Sequence, residues 1–197
     1  MRNVREPTYS FVILTLILIV INVILARISV SGPLQSYTGV SSFYIAVAFM
    51  IVFGLWFGGY GVVAAYLGTL IGSGLLAGGT PQMPPDVALY WALAGLFQVL
   101  IPLVVFRALD VNVGIESKRD LFQLILFGVI INNIVGAFWG AGTLALGGVI
   151  KSTEFGGVFW TWLVGNIIVT IILVPILLRL FTPGISRSKL FVRNYWD

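Results

Sequence analysis

The feature that most constrains this chain is its succession of apolar stretches of membrane-crossing length. Val12 to Leu25, VILTLILIVINVIL, is apolar almost throughout, and a helix of roughly 20 such residues crosses a hydrocarbon core. A soluble domain of ordinary composition carries roughly 25% charged residues, whereas this chain carries 9%, with 59% hydrophobic residues. A transmembrane barrel needs repeated segments of about 10 residues alternating apolar and polar, and these runs do not alternate. The expected fold class is all-α: a polytopic integral membrane bundle.

Six spans are expected, at about Tyr9 to Ile28, Phe43 to Phe57, Gly61 to Leu76, Val87 to Phe106, Leu121 to Thr143 and Val158 to Leu178. The first lacks a small-residue cleavage site and reads as a retained helix rather than a signal peptide. The second and third are short unless extended at their ends, and Gly58-Gly59 between them is a tight-turn dipeptide. The apolar run from Leu121 to Ile150 is too long for one simple crossing, so Leu144 to Ile150 is expected to be re-entrant or interfacial. Residues 1–182 form a single transmembrane helical domain on this reading, followed by a short basic cytoplasmic tail, 183–197.

Six crossings put both termini on one side, and basic residues mark the cytoplasmic side. With the termini inside, Arg2, Arg5, Arg107, Lys118, Arg119, Arg179, Arg187, Lys189 and Arg193 are cytoplasmic, leaving Arg27 and Lys151 outside. The expected location is the cell membrane, multi-pass, with membrane lipid as the surrounding partner. The net charge of +4 therefore reads as an orientation signal, and no nucleic-acid partner is expected.

The chain has neither His nor Cys, which excludes Cys/His zinc sites, imidazole acid-base catalysis, thiolate nucleophiles and disulfides. Asp110, Glu116 and Asp120 fall in the charged linker Arg107 to Asp120, which reads as a solvated connecting loop. No catalytic residue, metal site or cofactor is expected, and the chain reads as a non-enzyme.

Small residues recur at four-residue spacing in Gly68-x-x-x-Gly72, Gly74-x-x-x-Gly78 and Gly136-x-x-x-Gly140, which lets helices approach closely in lipid. Gly68, Gly72, Gly136 and Gly140 are the expected packing positions. Asn22, Thr69, Ser73, Gln98, Asn132, Asn133 and Asn166 lie at membrane depth and need partners there. Adjacent helical residues differ by about 100 degrees, so Asn132 and Asn133 point two ways, one toward a neighbouring helix and the other toward a cavity. Tyr44, Tyr90, Trp91, Trp139, Trp160 and Trp162 gather toward the external face, either as an interfacial belt or as the lining of an outward-facing pocket. At most one of Trp160 and Trp162 points straight into such a pocket. Arg27 either snorkels to headgroups or binds an anionic ligand or Glu154. The candidate ligand-binding set is Arg27, Asn133, Trp139, Trp162 and Asn166, with the arginine supplying charge, the amides directional bonds and the indoles apolar stacking.

The segment SSFYIAVAFMIVFGLWFGGYGVVAAYLGTLIGSGLLAG, Ser41 to Gly78, resembles membrane sensory modules of the MASE1 type. So do RDLFQLILFGVIINNIVGAFWG, Arg119 to Gly140, and FWTWLVGNIIVTIILVPILL, Phe159 to Leu178. The chain departs from that pattern at Asn166, where an acidic residue often follows the late glycine. A second resemblance, in size, helix number and glycine content, is to substrate-binding S components of energy-coupling factor transporters. The first resemblance implies a recognition module that binds a small molecule from the extracytoplasmic side and signals through a separate signalling protein. The second implies uptake with a transporter coupling protein and ATPases. A membrane assembly or structural role is the third expectation.

Overall fold

The structure, a computed structural model, describes residues 9–31, 35–37, 39–77 and 82–196. Arg2, Arg5 and Gly78 lie outside them. The described chain is almost entirely helical. It begins with α1 (Tyr9–Ser29), followed by a small hairpin of β1 (Gln35–Tyr37) and β2 (Val40–Ser41), and then α2 (Ala46–Phe57). Next come α3 (Gly59–Thr69), continuing as π turns over Leu70–Leu75, then α4 (Pro85–Trp91) and α5 (Leu93–Ala108). The rod of α6 (Lys118–Gln123), π turns (Leu124–Ile131) and α7 (Asn132–Leu146) precedes the long α8 (Phe155–Ile185).

Four rods are long and apolar enough to cross a membrane: Tyr9–Ser29, Pro85–Ala108, Lys118–Leu146 and Ser152–Ile185. The two remaining apolar rods, Ala46–Phe57 and Gly59–Leu75, fall short of that length, so four of the six expected spans meet it. The reason α2 is short yet apolar on every side lies in its position. It packs against α1, α3, α5 and α8, and Val47, Ile51 and Leu55 are fully buried. A helix hydrophobic all round is one enclosed by protein, and 12 residues span only about 18 Å.

Successive rods alternate in direction, giving the bundle two ends. At one end Phe11 at the start of α1 stacks on Tyr60 of α3, with ring centroids 4.6 Å apart. The turn between α2 and α3 is also there, with Gly58 at φ +58°, a conformation that glycine adopts without penalty. The C-terminal residues are not a free tail. After α8 passes Pro183, the chain folds back so that the Val192 N–H donates to Trp56 O (2.9 Å) and the Gly59 N–H to Tyr195 O (2.8 Å). Arg107 locks this strap in place, donating to the carbonyls of Leu55 (2.8 Å), Val192 (2.7 Å) and Asn194 (2.9 Å).

The linker after α5 is only partly the solvated loop expected. Asp110 and Glu116 are exposed, but Val111, Val113 and Ile115 alternate into the core. Asp120 is a structural residue of a capping box. Its carboxylate accepts the N–H groups of Ser117 (3.0 Å) and Asn112 (3.2 Å), while Ser117 Oγ accepts the Asp120 N–H. Leu144 to Ile150 is likewise not a separate re-entrant piece. α7 runs through Leu146, Gly148 turns the chain at φ +69°, and the Val149 N–H returns to Leu144 O at 2.9 Å.

Candidate functional site

The other end of the bundle holds a cavity lined by Gly39, Val40, Ser41, Tyr44, Thr69, Trp91, Gln98, Trp162 and Asn166. Its volume is about 280 Å³, part of it open to solvent. Its interior has room for about one water molecule. The lining comes from the hairpin (Gly39, Val40 and Ser41), the segment before α2 (Tyr44), α3 (Thr69), α4 (Trp91), α5 (Gln98) and α8 (Trp162 and Asn166). The hairpin covers it: a Cβ on Gly39 (φ +74°) would lie 2.9 Å from Ser73 O and 3.0 Å from Met83 Cε. The chain then crosses α8 so closely that a Cβ on Gly165 would collide with the Ser42 carbonyl. Ser36 and Ser42 share a hydroxyl hydrogen bond of 2.6 Å across the hairpin.

Along the next wall, the π turns after Thr69 bring Ser73 inward, where its hydroxyl meets Tyr44 OH (3.1 Å) and donates to Thr69 O (3.1 Å). Widened turns of this type are frequent at functional sites. Trp91 and Trp162 pack on each other with centroids 5.4 Å apart and planes tilted by 56°.

Beside this wall an amide network ties three helices together. Gln98 Nε2 donates to Asn133 Oδ1 (2.7 Å), and Asn133 Nδ2 donates to Val129 O (2.8 Å) and Thr170 Oγ1 (3.1 Å). Thr170 Oγ1 donates in turn to Asn166 O (2.7 Å). Asn132 Nδ2 reaches Gln98 O at 3.1 Å. That carbonyl is available because Pro102, four residues on inside α5, has no N–H to bond it.

Against this paired network stand four buried polar atoms with no protein partner: Trp91 Nε1, Trp162 Nε1, and both Nδ2 and Oδ1 of Asn166. All three residues line the one cavity. Leaving a buried donor or acceptor unpaired costs about 1–3 kcal/mol each, so three such side chains converging on one space need an explanation. Asn22, Gln123 and Asn132 also carry unpartnered buried atoms, but none of them lines this cavity.

Of the five residues expected to bind ligand, the cavity brings together Trp162 and Asn166. Asn133 is held in the amide network, so neither it nor Asn132 lines the cavity. Arg27 is exposed and donates to Ser31 Oγ at 3.1 Å, while Glu154 accepts the Lys151 N–H at 2.8 Å. Trp139 donates to Tyr90 O (2.7 Å) and lines a separate groove with Asp86, Phe138 and Leu146. That groove, about 980 Å³, is open and mostly apolar, and none of the residues with unpartnered buried atoms lines it. Trp160 is exposed while Trp162 is buried. The glycines lie in close helix contacts: Gly68 against Asn22, Gly72 against Val23 and Ala26, Gly136 against Gln98, and Gly140 against the Trp162 ring. Tyr44 and Trp91, expected either in an interfacial belt or in a pocket lining, line the cavity, whereas the covering hairpin was not anticipated. A faint signal exists in Thr38-Gly39, a turn-favouring pair ahead of Val40.

The fold and the buried polar residues define a polytopic, all-α membrane protein with several apolar helices. The chain matches no protein-family model, no curated protein and no solved structure. The resemblances to MASE1 modules and to S components thus have no family-level support.

Proposed function

We propose that this chain is a non-catalytic membrane recognition protein that closes over a small molecule at the cavity under the β1–β2 hairpin. The observation that carries the reading is the convergence of the unpartnered Trp91, Trp162 and Asn166 side chains on that one space. The interior as it stands holds about one water, so binding a larger molecule requires the hairpin or a neighbouring wall to stand further out while the molecule is bound. On this reading the two short rods cross with the four long ones, and the basic residues at the strap end face the cytoplasm. The cavity then opens to the extracytoplasmic side, and output passes to a separate signalling protein, as in a MASE1-like sensory module.

A second reading is a substrate-binding component of an uptake transporter. It is favoured by the depth of the cavity's polar side chains, with Asn166 fully buried, because a carrier must seal its solute from the bulk whereas a sensor need only shift an equilibrium on binding. Native mass spectrometry of protein gently extracted from its own membranes tests the shared proposal. A small molecule retained by wild type and lost from Asn166→Leu and Trp162→Phe supports it. Equal retention in all three removes the cavity as the binding site. Co-purification of a coupling protein with ATPases, together with solute flux, would select transport over sensing.

A further inference from the structure

The donor and acceptor pattern of the cavity goes further and specifies the chemistry of its ligand, resting on the reading that the cavity binds one. Ser41 Oγ accepts the Phe43 N–H (3.1 Å), Tyr44 OH is engaged with Ser73, Thr69 Oγ1 contacts Met50 Sδ (3.7 Å), and Gln98 Nε2 is held by Asn133. The lining side-chain atoms that are buried with no partner at all are two indole N–H donors and one complete carboxamide. That carboxamide presents a donor and an acceptor side by side. The Trp91 and Trp162 rings pack on each other, and the indole N–H of each is buried without a partner.

Among the described residues, no Asp, Glu, Lys or Arg lines the cavity. An ionic ligand would enter without a counter-charge and lose its hydration. A cation would in addition leave both indole donors unmet, and an anion would leave Asn166 Oδ1 facing it without a donor. We infer that the site takes a small, uncharged molecule bearing an amide or lactam edge, whose N–H meets Asn166 Oδ1 and whose carbonyl meets Asn166 Nδ2. A further acceptor on that molecule answers the indoles. In this arrangement Asn166 is the specificity-determining residue and the two tryptophans are secondary donors. Arg27, exposed on α1, has no part in it.

The test uses three compounds of nearly the same shape that differ in charge: benzamide, benzoate and benzamidinium. Binding to the full chain in detergent is followed by calorimetry and by ligand-observed NMR after removal of co-purified material. The expected result is binding of benzamide at least about tenfold tighter than either ion. That preference should be lost in Asn166→Leu, while Trp162→Phe weakens benzamide and keeps the order. Benzoate or benzamidinium binding as tightly as benzamide would overturn the inference while leaving the cavity as a binding site. Failure of all three to bind would also overturn it, and if wild type then carries no co-purified molecule, the recognition reading falls with it. Circular dichroism and gel filtration of each variant distinguish loss of binding from loss of fold, and Trp162→Phe preserves an aromatic ring in the wall should Asn166→Leu not fold.

Discussion

The two ends of this bundle treat buried polar groups differently. At the strap end the side chains that hold the chain reversal are paired, with Gln123 Oε1 on α6 the exception among the described residues. Arg107 donates to three backbone carbonyls, the indole of Trp56 donates to Thr182 Oγ1 at 2.9 Å, and the C-terminal strap closes on the α2–α3 turn through its main chain. At the cavity end, two indoles and a carboxamide have no protein partner, although the adjoining amide network shows that paired amides fit the same helices. Pairing is what a membrane bundle needs for stability; withholding it at one place is what a binding site needs. On the proposed reading, the contrast separates residues that hold the fold from residues that serve a bound molecule.

Substitutions should therefore divide by end and by partner. The largest loss is expected from Asn133→Ala, which removes both bonds donated by its amide and leaves Gln98 Nε2 without its acceptor. Reversible unfolding in mixed micelles should show about 3 kcal/mol of destabilisation, and a change below about 1 kcal/mol would mean the network is not holding α5, α7 and α8 together. Arg107→Met should cost about 2 kcal/mol by the same assay, and limited proteolysis should then cut the released strap. Ser117→Ala, which loses the cap on Asp120 N–H, should cost about 1 kcal/mol. The smallest effect is expected at the cavity end, where Asn166→Leu should change the stability of ligand-free protein by less than about 1 kcal/mol, or raise it, since no bond made by that side chain is lost. Its retained ligand should be lost all the same.

Much of this architecture was legible in the sequence, for a physical reason. Lipid-facing rods must be apolar over their whole length, so α1 is expected at Tyr9 to Ile28 and found at Tyr9–Ser29. Elements whose signal is not compositional were hidden. Strands of three and two residues carry no periodicity, and π turns differ from α turns in hydrogen-bond register rather than residue type. The linker after α5 misleads because its charges dominate its composition while Val111, Val113 and Ile115 turn inward. For the site, Trp162 and Asn166 stand out as an indole and an amide at membrane depth. What the sequence could not supply was which polar residues find each other. Asn133 and Asn166 look alike as letters, and only the packing of α5 and α7 gives one its partners and denies them to the other.

The most direct measurement makes one substitution at both ends. Trp56 and Trp162 are both buried, and each loses its indole N–H and the same ring volume on replacement by Phe. Trp56 Nε1 has a partner and Trp162 Nε1 has none. In ligand-stripped protein, Trp56→Phe should be more destabilising than Trp162→Phe by about 1–2 kcal/mol, because only the first breaks a hydrogen bond and leaves Thr182 facing nothing. Equal losses, or a greater loss at Trp162, would mean that its indole N–H is engaged in the ligand-free fold and is not reserved for a bound molecule.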